Sequence, residues 1–388
     1  INLMIRCFEM EKMDIVLAAP TGRAAKRMTE ATGYEAKTIH RLLEVSGGIE
    51  DGDSSHFEKN EDNPIEADAV ILDEMSMVDI HLMYSLLKAI VPGTRLILVG
   101  DSNQLPSVGP GNVLKDIIDS KAFSVVRLSK IYRQAESSHI VLNAHKINAG
   151  ELITLDNKNK DFFFFEKKDV RSVMGALVYL VKTRLPEYIG ASPFEIQVLT
   201  PMRKGELGVE HLNEVLQYYL NPASESKKEK EGRTGVFREG DKVMQVKNNY
   251  KLEWKITNAK GFSIEEGLGV FNGDMGIIKQ INTYSERITV VFDENREAEY
   301  PFSSLDELEL AYAITIHKSQ GSEYPAVVLP LLSGPPILCN RNLLYTAITR
   351  AQKCVAIAGR QSMVEQMIHN ETEQKRYSGL NDCLKEGL

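Results

Sequence analysis

The stretch Ala69-Val70-Ile71-Leu72-Asp73-Glu74 consists of four apolar residues followed directly by two carboxylates. A short apolar run bounded by polar residues is typical of a buried β-strand. Three similar runs alternate with segments of helical periodicity in the first third of the chain: Asp14–Ala19, Arg95–Asp101 and Ser124–Leu128. Such strands between helices indicate a parallel sheet covered on both faces, which binds ligands at the carboxyl ends of its strands. We therefore predict an α/β domain with a site beside Asp73 and Glu74.

A second α/β pattern follows, with apolar runs at Glu195–Pro201, Ala326–Leu331 and Cys354–Gly359. Residues 235–305 differ, because short strands there are separated by turn residues and no long helix intervenes. These strands are Gly240–Val246, Gly273–Ile278 and Arg287–Asp293. This pattern is typical of a small antiparallel barrel. The predicted fold class is therefore α/β, with two parallel-sheet domains and a small β-barrel inserted in the second.

The composition is that of a globular protein: of 388 residues, 43% are hydrophobic and 26% charged. The net charge of −8 excludes a uniformly basic nucleic-acid coat but leaves room for local basic patches. The four cysteines lie far apart, without the spacing of a zinc site. No apolar run reaches the roughly 18 residues of a membrane span, and Ile1–Glu9 resembles an amphipathic helix rather than a signal peptide. We expect a cytoplasmic protein.

Several polar residues are candidates for chemistry on a phosphate group. A carboxylate at a strand end, such as Asp73, can hold Mg²⁺ beside a phosphate, and a second, such as Glu74, can orient an attacking water. Gln104, in the polar loop after the run Arg95–Asp101, can hydrogen-bond a γ-phosphate. Arg133 and Arg350 can stabilise charge on a transferring phosphoryl group. Each residue alone is equally compatible with a strand end, a turn or a surface salt bridge.

Seven segments in order along the chain resemble the motifs of superfamily 1 DNA helicases, most closely the RecD-like branch that includes the α chain of exodeoxyribonuclease V. The segments that resemble these motifs are Leu17–Ala25 (motif Ia), Thr38–Leu43 (motif Ib), Asp73-Glu74 (motif II), Gly100–Pro106 (motif III), Tyr132–Gln134 (motif IV), Thr315–Glu323 (motif V) and Tyr345–Ala351 (motif VI). Each match alone is modest evidence of a relationship. Seven matches in the correct order across nearly the whole chain do not arise readily by chance.

The resemblance implies two RecA-like motor domains with ATP in the cleft between them and an SH3-like barrel in the second. The implied boundaries are 1–135 for a truncated first motor domain, 136–234 and 306–388 for the second, and 235–305 for the barrel. Asp73 would hold Mg²⁺, Glu74 would activate water and Gln104 would sense the γ-phosphate. Arg133 and Arg350 would act as arginine fingers. Gly321 and Glu323 would bind the nucleotide, with Glu323 at the ribose.

The resemblance also implies a track for single-stranded DNA. Its residues would be Pro20, Thr21, Arg23, His40, Thr315, His317 and Lys318, whose hydroxyl and basic groups suit phosphate contacts that do not read the base sequence. The implied partners are single-stranded DNA, tailed duplex DNA and other subunits of a recombination complex. The implied function is 5′-to-3′ DNA unwinding in recombination and double-strand-break repair.

One expected element is missing from the sequence, the phosphate-binding motif Gly-x-x-x-x-Gly-Lys-[Ser/Thr]. None of the 27 glycines is followed by lysine. In the family this motif precedes a helix and the strand of motif Ia, which Ile1–Glu11 and Asp14–Ala19 resemble. We therefore expect a chain that begins just after the phosphate loop, either as a fragment or as a protein that has lost ATPase activity. In both cases we expect weak ATP binding and negligible hydrolysis.

Three alternative functions remain open from the sequence. One is a nucleic-acid-binding module that kept the helicase fold and lost turnover, which the missing phosphate loop favours. The retention of Asp73, Glu74, Gln104, Arg133 and Arg350 argues against it. The others are an RNA helicase and the helicase portion of a conjugative relaxase, both of the same superfamily.

Overall fold

The computed structural model describes residues 1–44, 57–128, 138–232, 235–258, 262–372 and 376–387. The chain divides into two compact units, one of Ile1–Lys130 with Gln374–Leu388 and the other of Ile131–Glu373. The elements of the first unit are, in chain order, α1 (Asn2–Met10), β1 (Ile15–Ala19), α2 (Gly22–Thr32), β2 (Ala36–Thr38), α3 (Ile39–Leu42), β3 (Ala69–Leu72), α4 (Ile80–Lys88), β4 (Arg95–Leu98) and α5 (Val113–Ser120). No helix within the described ranges is long and apolar enough to cross a membrane.

The second unit contributes the next helices and strands. Its helices are α6 (His139–Ala149), α7 (Val170–Tyr179), α8 (Leu185–Ile189), α9 (Val209–Leu220), α10 (Arg341–Ile348) and α11 (Gln361–His369). Its strands are β5 (Phe162–Glu166), β6 (Ile196–Thr200), β7 (Glu229–Gly232), β8 (Gly235–Arg238), β9 (Lys242–Gln245), β10 (Asn249–Thr257), β11 (Ser263–Val270), β12 (Met275–Asn282), β13 (Arg287–Phe292), β14 (Arg296–Pro301), β15 (Leu308–Leu310), β16 (Ala313–Thr315), β17 (Tyr324–Leu331) and β18 (Ala351–Gly359). The last helix of the chain, α12 (Leu380–Glu386), lies in the first unit.

The first unit is built on a parallel four-stranded sheet in the order β2-β1-β3-β4. Alternate residues of the inner strand β3 pack on opposite faces of this sheet. Val70 and Leu72 join a core that includes Met83 of α4 and Val113 of α5, whereas Ile71 joins a core with residues of α1 and α2. Both faces of the sheet are therefore covered by helices, which confirms the predicted α/β layering.

The prediction of a β-strand at Ser124–Leu128 is wrong. These residues form no helix or strand, and Val126 and Leu128 are 86% and 95% exposed. The strands β2 and β4 are terminal in the order β2-β1-β3-β4, but within the described residues the segment pairs with neither of them. Its β-branched residues favour an extended backbone, but an extended segment without a neighbour cannot satisfy its ladder hydrogen bonds.

The second unit combines a parallel sheet, a larger antiparallel sheet and the antiparallel pair of β7 and β8. The parallel sheet has the order β16-β6-β17-β18-β5, and β6, β17 and β18 are the strands predicted from the apolar runs. The antiparallel sheet has the order β11-β10-β14-β13-β12-β9-β15 and contains the three predicted strands β9, β12 and β13. Its terminal strands, β11 and β15, do not pair with each other, so within the described ranges this sheet is open rather than a closed barrel.

The two larger sheets of the second unit share one apolar core, which includes Val198 and Ala326 of the parallel sheet and Val243 and Ile288 of the antiparallel sheet. A buried polar cluster also joins them at Asp241, the residue before β9. Its carboxylate accepts hydrogen bonds from the side chains of Gln217, Asn221 and Tyr312 and from the backbone N–H of Arg238. A buried carboxylate needs such donors because burial removes its water.

The C-terminal residues 376–387 differ from the predicted division, which placed 306–388 in the second motor domain. The structure groups them with the first unit, where Arg376 donates hydrogen bonds to the backbone oxygens of Gly109 (2.6 Å), Gly111 (2.7 Å) and Ser107. Ser378 also donates to Asp116 of α5. Contacts between residues more than 260 positions apart leave no local periodicity, so sequence patterning did not reveal them.

Candidate functional site

Asp73 and Glu74 lie directly after the inner strand β3, at its carboxyl end. The backbone N–H of Asp73 donates to Ala18 (3.0 Å), which extends the pairing with β1 by one residue. The Asp73 carboxylate accepts from the backbone N–H of Glu74 (2.8 Å). Glu74 has a φ of 53°, a left-handed conformation that is uncommon for a non-glycine residue. This turn ends the strand with both side chains at the edge of the sheet, where each is partly exposed.

Gln104 lies in the loop that follows the neighbouring strand β4. Its backbone N–H and its side-chain nitrogen both donate to Asp101, at 3.3 and 3.4 Å. Its side-chain oxygen is buried and has no hydrogen-bond partner among the residues that the structure describes. Buried polar atoms are almost always bonded, so this amide has hydrogen-bonding capacity that the fold itself does not use.

The turns after β3 and β4 touch each other. Met75 donates its backbone N–H to Val99 (3.0 Å), and a Cβ atom on Gly100 would lie 3.0 Å from the Met75 nitrogen. Glycine at position 100 therefore permits this close approach. The turns that carry Asp73, Glu74 and Gln104 thus lie side by side at one edge of the first sheet, as predicted.

Four further predicted residues lie at the same edge of the first unit. Pro20, Thr21 and Arg23 follow β1, and His40 follows β2; the two strands are in register with Ala19 beside Thr38. Thr21 caps α2 by accepting from the backbone N–H of Ala24 (3.2 Å). Burial lowers the pKa of His40, with partial opposition from the negative charge of Asp79. The edge therefore collects residues from all four strands.

In the second unit, Thr315 ends β16, and His317 and Lys318 occupy the following turn. Thr315 accepts a hydrogen bond from the backbone N–H of Lys318 (3.3 Å). Burial lowers the pKa of His317, so its ring is neutral at neutral pH. Lys318 donates to the carboxylate of Glu309 (3.0 Å). The three residues predicted for the DNA track therefore form one compact turn.

Arg350 and the segment Gly321–Glu323 are also brought together in the second unit. The guanidinium of Arg350 is 3% exposed and donates to the backbone oxygens of Thr346 and Ser322 and to the hydroxyl of Thr349, each at 3.3 Å. Glu323 accepts from the side chain of Gln352 (3.1 Å). Within the described residues, the three hydrogen bonds of Arg350 all go to uncharged oxygens. Arg133 lies outside the described residues.

Sequence reasoning missed two charged residues beside Lys318. Arg203 follows β6, the strand next to β16, and its guanidinium donates to the carboxylate of Glu309 at 2.5 Å. Glu309 lies on the three-residue strand β15. The available signal was the polar turn Arg203-Lys204-Gly205 after an apolar strand, since the ends of neighbouring parallel strands meet at one edge. Within the described ranges, no three His, Cys, Asp or Glu side chains could hold a metal ion together.

Three family models match separate parts of the chain. An AAA domain matches residues 1–110, the SH3 domain of ATP-dependent RecD-like DNA helicases matches 212–292, and a UvrD-like helicase C-terminal domain matches 310–358. The ATP-dependent RecD2 DNA helicase of Deinococcus radiodurans is 36% identical over 347 residues, and the RecBCD enzyme subunit RecD of Mycolicibacterium smegmatis is 30% identical over 397. The chain belongs to the RecD-like helicase family.

These RecD-like relatives are longer than this chain. The matches cover 89% and 96% of the chain, but only 43% of the Deinococcus protein and 66% of the Mycolicibacterium protein. Among solved structures, Pif1 helicases at forked double-stranded DNA match with a TM-score of 0.52 and 20% identity, covering 94% of this chain and 86% of that one. Bacteroides Pif1 with ADP-AlF3 and single-stranded DNA matches with a TM-score of 0.50 and 20% identity, covering 91% and 84%. These likenesses support the P-loop NTPase type of fold.

Proposed function

We propose that this RecD-like chain is the motor portion of an ATP-dependent 5′-to-3′ DNA helicase that acts in DNA recombination and double-strand-break repair. One observation carries the proposal: in each parallel sheet, predicted motif residues lie at the carboxyl ends of strands, although Gly321, Glu323 and Arg350 precede β17 and β18. Asp73, Glu74 and Gln104 lie at that edge in the first unit, and Thr315 and Lys318 lie there in the second. This is the edge at which open α/β sheets bind ligands.

Single-stranded DNA is the proposed macromolecular ligand. Pro20, Thr21, Arg23 and His40 would contribute the contacts of the first unit, and Thr315, His317 and Lys318 those of the second. Hydroxyl groups, a guanidinium and an ammonium bind backbone phosphates without reading bases, which suits a protein that moves along any sequence. The neutral ring of His317 would contribute hydrogen bonding or stacking rather than charge.

ATP is the proposed nucleotide substrate, and Mg²⁺ is the proposed metal cofactor. A single partly buried carboxylate such as Asp73 fits Mg²⁺, which is usually held by one or two carboxylates together with waters and substrate phosphates. Mg²⁺, when bound, supplies neutralisation of negative charge on the phosphates. Glu74 would orient the attacking water, and the side-chain N–H of Gln104 would donate to the γ-phosphate, which leaves its unpaired side-chain oxygen to accept from a water molecule. Arg350, with Arg133, would stabilise developing negative charge, and Gly321 and Glu323 would hold the nucleoside.

This chain alone is proposed to hydrolyse ATP negligibly, since its sequence contains no Gly-x-x-x-x-Gly-Lys-[Ser/Thr] motif. The backbone N–H groups and lysine of that loop normally cradle the phosphates, so the remaining residues lack their main source of transition-state stabilisation. Vigorous DNA-stimulated turnover by the chain would contradict this statement. Binding of single-stranded DNA does not depend on that loop.

The proposed partners are single-stranded DNA, tailed duplex DNA and other subunits of a recombination complex. The subunit proposal rests on relatives that are named as RecBCD subunits. A direct test titrates the chain into fluorescently labelled oligonucleotides and follows their anisotropy. We expect single-stranded DNA to bind more tightly than blunt duplex DNA. Equal or tighter binding of single-stranded RNA would instead favour an RNA helicase, and the absence of nucleic-acid binding would overturn the proposal.

A further inference from the structure

Glu309 binds two cations that come from two other segments of the second unit. Its carboxylate oxygens accept from the Arg203 guanidinium at 2.5 Å and from the Lys318 ammonium at 3.0 Å. The Glu309 side chain is 16% exposed, whereas those of Arg203 and Lys318 are 48% and 30% exposed. The carboxylate is therefore the sheltered member of the cluster, and the two cations are within reach of a ligand from solvent.

The position of the cluster links it to the proposed DNA track. Arg203 follows β6 and Lys318 follows β16, and these strands are parallel neighbours paired as far as Thr200 and Thr315. Glu309 comes from β15, in the antiparallel sheet. The cations therefore lie on adjacent turns at the edge that carries Thr315, and a carboxylate of the inserted sheet holds them together.

The charge state of Glu309 follows from its surroundings. Burial alone would raise the pKa of its carboxyl group, but the hydrogen bonds and positive charges of Arg203 and Lys318 outweigh that effect and lower it. Glu309 is therefore ionised at neutral pH, and the cluster of two cations and one carboxylate has a net charge of about +1. Glu210 lies 3.5 Å from the Arg203 guanidinium, but both side chains are about half exposed and solvent screens that pair.

We propose that Arg203 and Lys318 form a paired phosphate-binding site for single-stranded DNA, in which Glu309 is the positioning residue that aligns both cations and limits their net charge. This inference rests on the proposed function. A backbone phosphate carries one negative charge, so it balances the net charge of the cluster and is not held by a surplus of positive charge. A motor has to release each phosphate as it advances, and a pair of unopposed cations would retain the strand more strongly.

The salt dependence of binding measures this charge directly. The logarithm of the binding constant for single-stranded nucleic acid falls with the logarithm of salt concentration by about 0.7 for each phosphate neutralised. Glu309→Gln keeps the shape of the side chain and removes its charge. We expect this variant to bind oligothymidylate several-fold more tightly at low salt, with a slope steeper by about 0.7.

Glu297→Gln is the matched control for this experiment. Glu297 is also 16% exposed and ion-paired to a lysine, Lys279, at 2.5 Å, but it lies on β14 of the antiparallel sheet. The control changes the total charge by the same amount, and we expect it to leave the slope unchanged. Equal slopes for the two variants would overturn the inference, and so would weaker binding by Glu309→Gln.

A second variant tests the site without altering the half-buried carboxylate. Arg203→Gln removes a half-exposed guanidinium, and we expect the slope to become shallower by about 0.7. Arg287→Gln is its control, because Arg287 is 49% exposed and pairs with Glu299 elsewhere on the antiparallel sheet. If the unaltered chain binds oligothymidylate but Arg203→Gln matches its control, only this inference fails. If the unaltered chain does not bind oligothymidylate, the proposed function fails with it.

Discussion

Arg350 donates a hydrogen bond from its Nη1 atom to the backbone oxygen of Ser322, across 3.3 Å. The two residues are 28 positions apart, and the bond joins the segment after α10 to the segment Gly321–Glu323. Tyr324 strengthens the same connection by donating its backbone N–H to the Arg350 oxygen at 2.8 Å. The guanidinium is therefore held in place by the fold before any ligand arrives.

Removing the Arg350 side chain should destabilise the second unit. Arg350→Ala removes the three hydrogen bonds of the buried side chain and creates a cavity, which should lower the free energy of unfolding by about 2–4 kcal/mol. Urea denaturation followed by circular dichroism measures this change. Arg287→Ala, at a half-exposed ion pair, should stay within about 0.5 kcal/mol of the unaltered chain. Equal effects of the two substitutions would contradict the structural role of Arg350.

Asp241 should make stability depend on pH. Burial raises the pKa of its carboxyl group above the ordinary 3.8, although hydrogen bonds from Asn221, Gln217, Arg238 and Tyr312 partly oppose this shift. A raised folded-state pKa gives stability that is present below pH 3.8 and is lost as pH rises through the folded pKa. Asp241→Asn has no carboxyl group to titrate at this position, so it does not lose this stability as pH rises. The difference in unfolding free energy between the unaltered chain and the less stable variant should therefore shrink as pH rises from about 4. Urea denaturation of both proteins at a series of pH values measures this difference. A difference that grows as pH rises would refute the prediction.

Arg376 should hold the loop that follows Gln104. Its guanidinium donates to the backbone oxygens of Gly109, Gly111 and Ser107, so Arg376→Ala removes one donor from each of these oxygens. We expect hydrogen exchange of backbone amides in residues 101–112 to become several-fold faster, because local opening costs less free energy. Peptides from α7, in the second unit, provide the internal control. Unchanged exchange in 101–112 would rule out the proposed restraint.

Much of the architecture was predictable because local patterning reports burial. The run Val70-Ile71-Leu72 is apolar at every position because both faces of the first sheet are covered, and such continuous runs revealed β1, β3, β4, β6, β17 and β18. The same rule failed at Ser124–Leu128. A β-prone segment forms a strand only if it pairs with a neighbouring strand, and its composition does not show whether it does.

The candidate site was predictable where a residue directly follows a strand, and less so where charge pairing brings distant segments together. Asp73 and the loop of Gln104 follow strands that were predicted from the apolar runs, whereas the strand that ends at Thr315 was not predicted. Glu309 was missed because its strand is three residues long and its partner Arg203 is 106 positions away. The pattern of residue types along the chain does not reveal such pairs, because an ion pair depends on the distance between two side chains in the folded structure and not on their separation in sequence.

The central claim is that the carboxyl edges of both parallel sheets contact single-stranded DNA. Photo-crosslinking of the chain to oligonucleotides that contain a photoreactive thymidine analogue, followed by mass spectrometry of the peptides, tests it without any substitution. We expect crosslinks in peptides that contain Pro20–Arg23 or His40 of the first unit and in the peptide that contains Thr315–Lys318 of the second. Crosslinks confined to other surfaces, such as the segment around the exposed Lys228, would contradict the account.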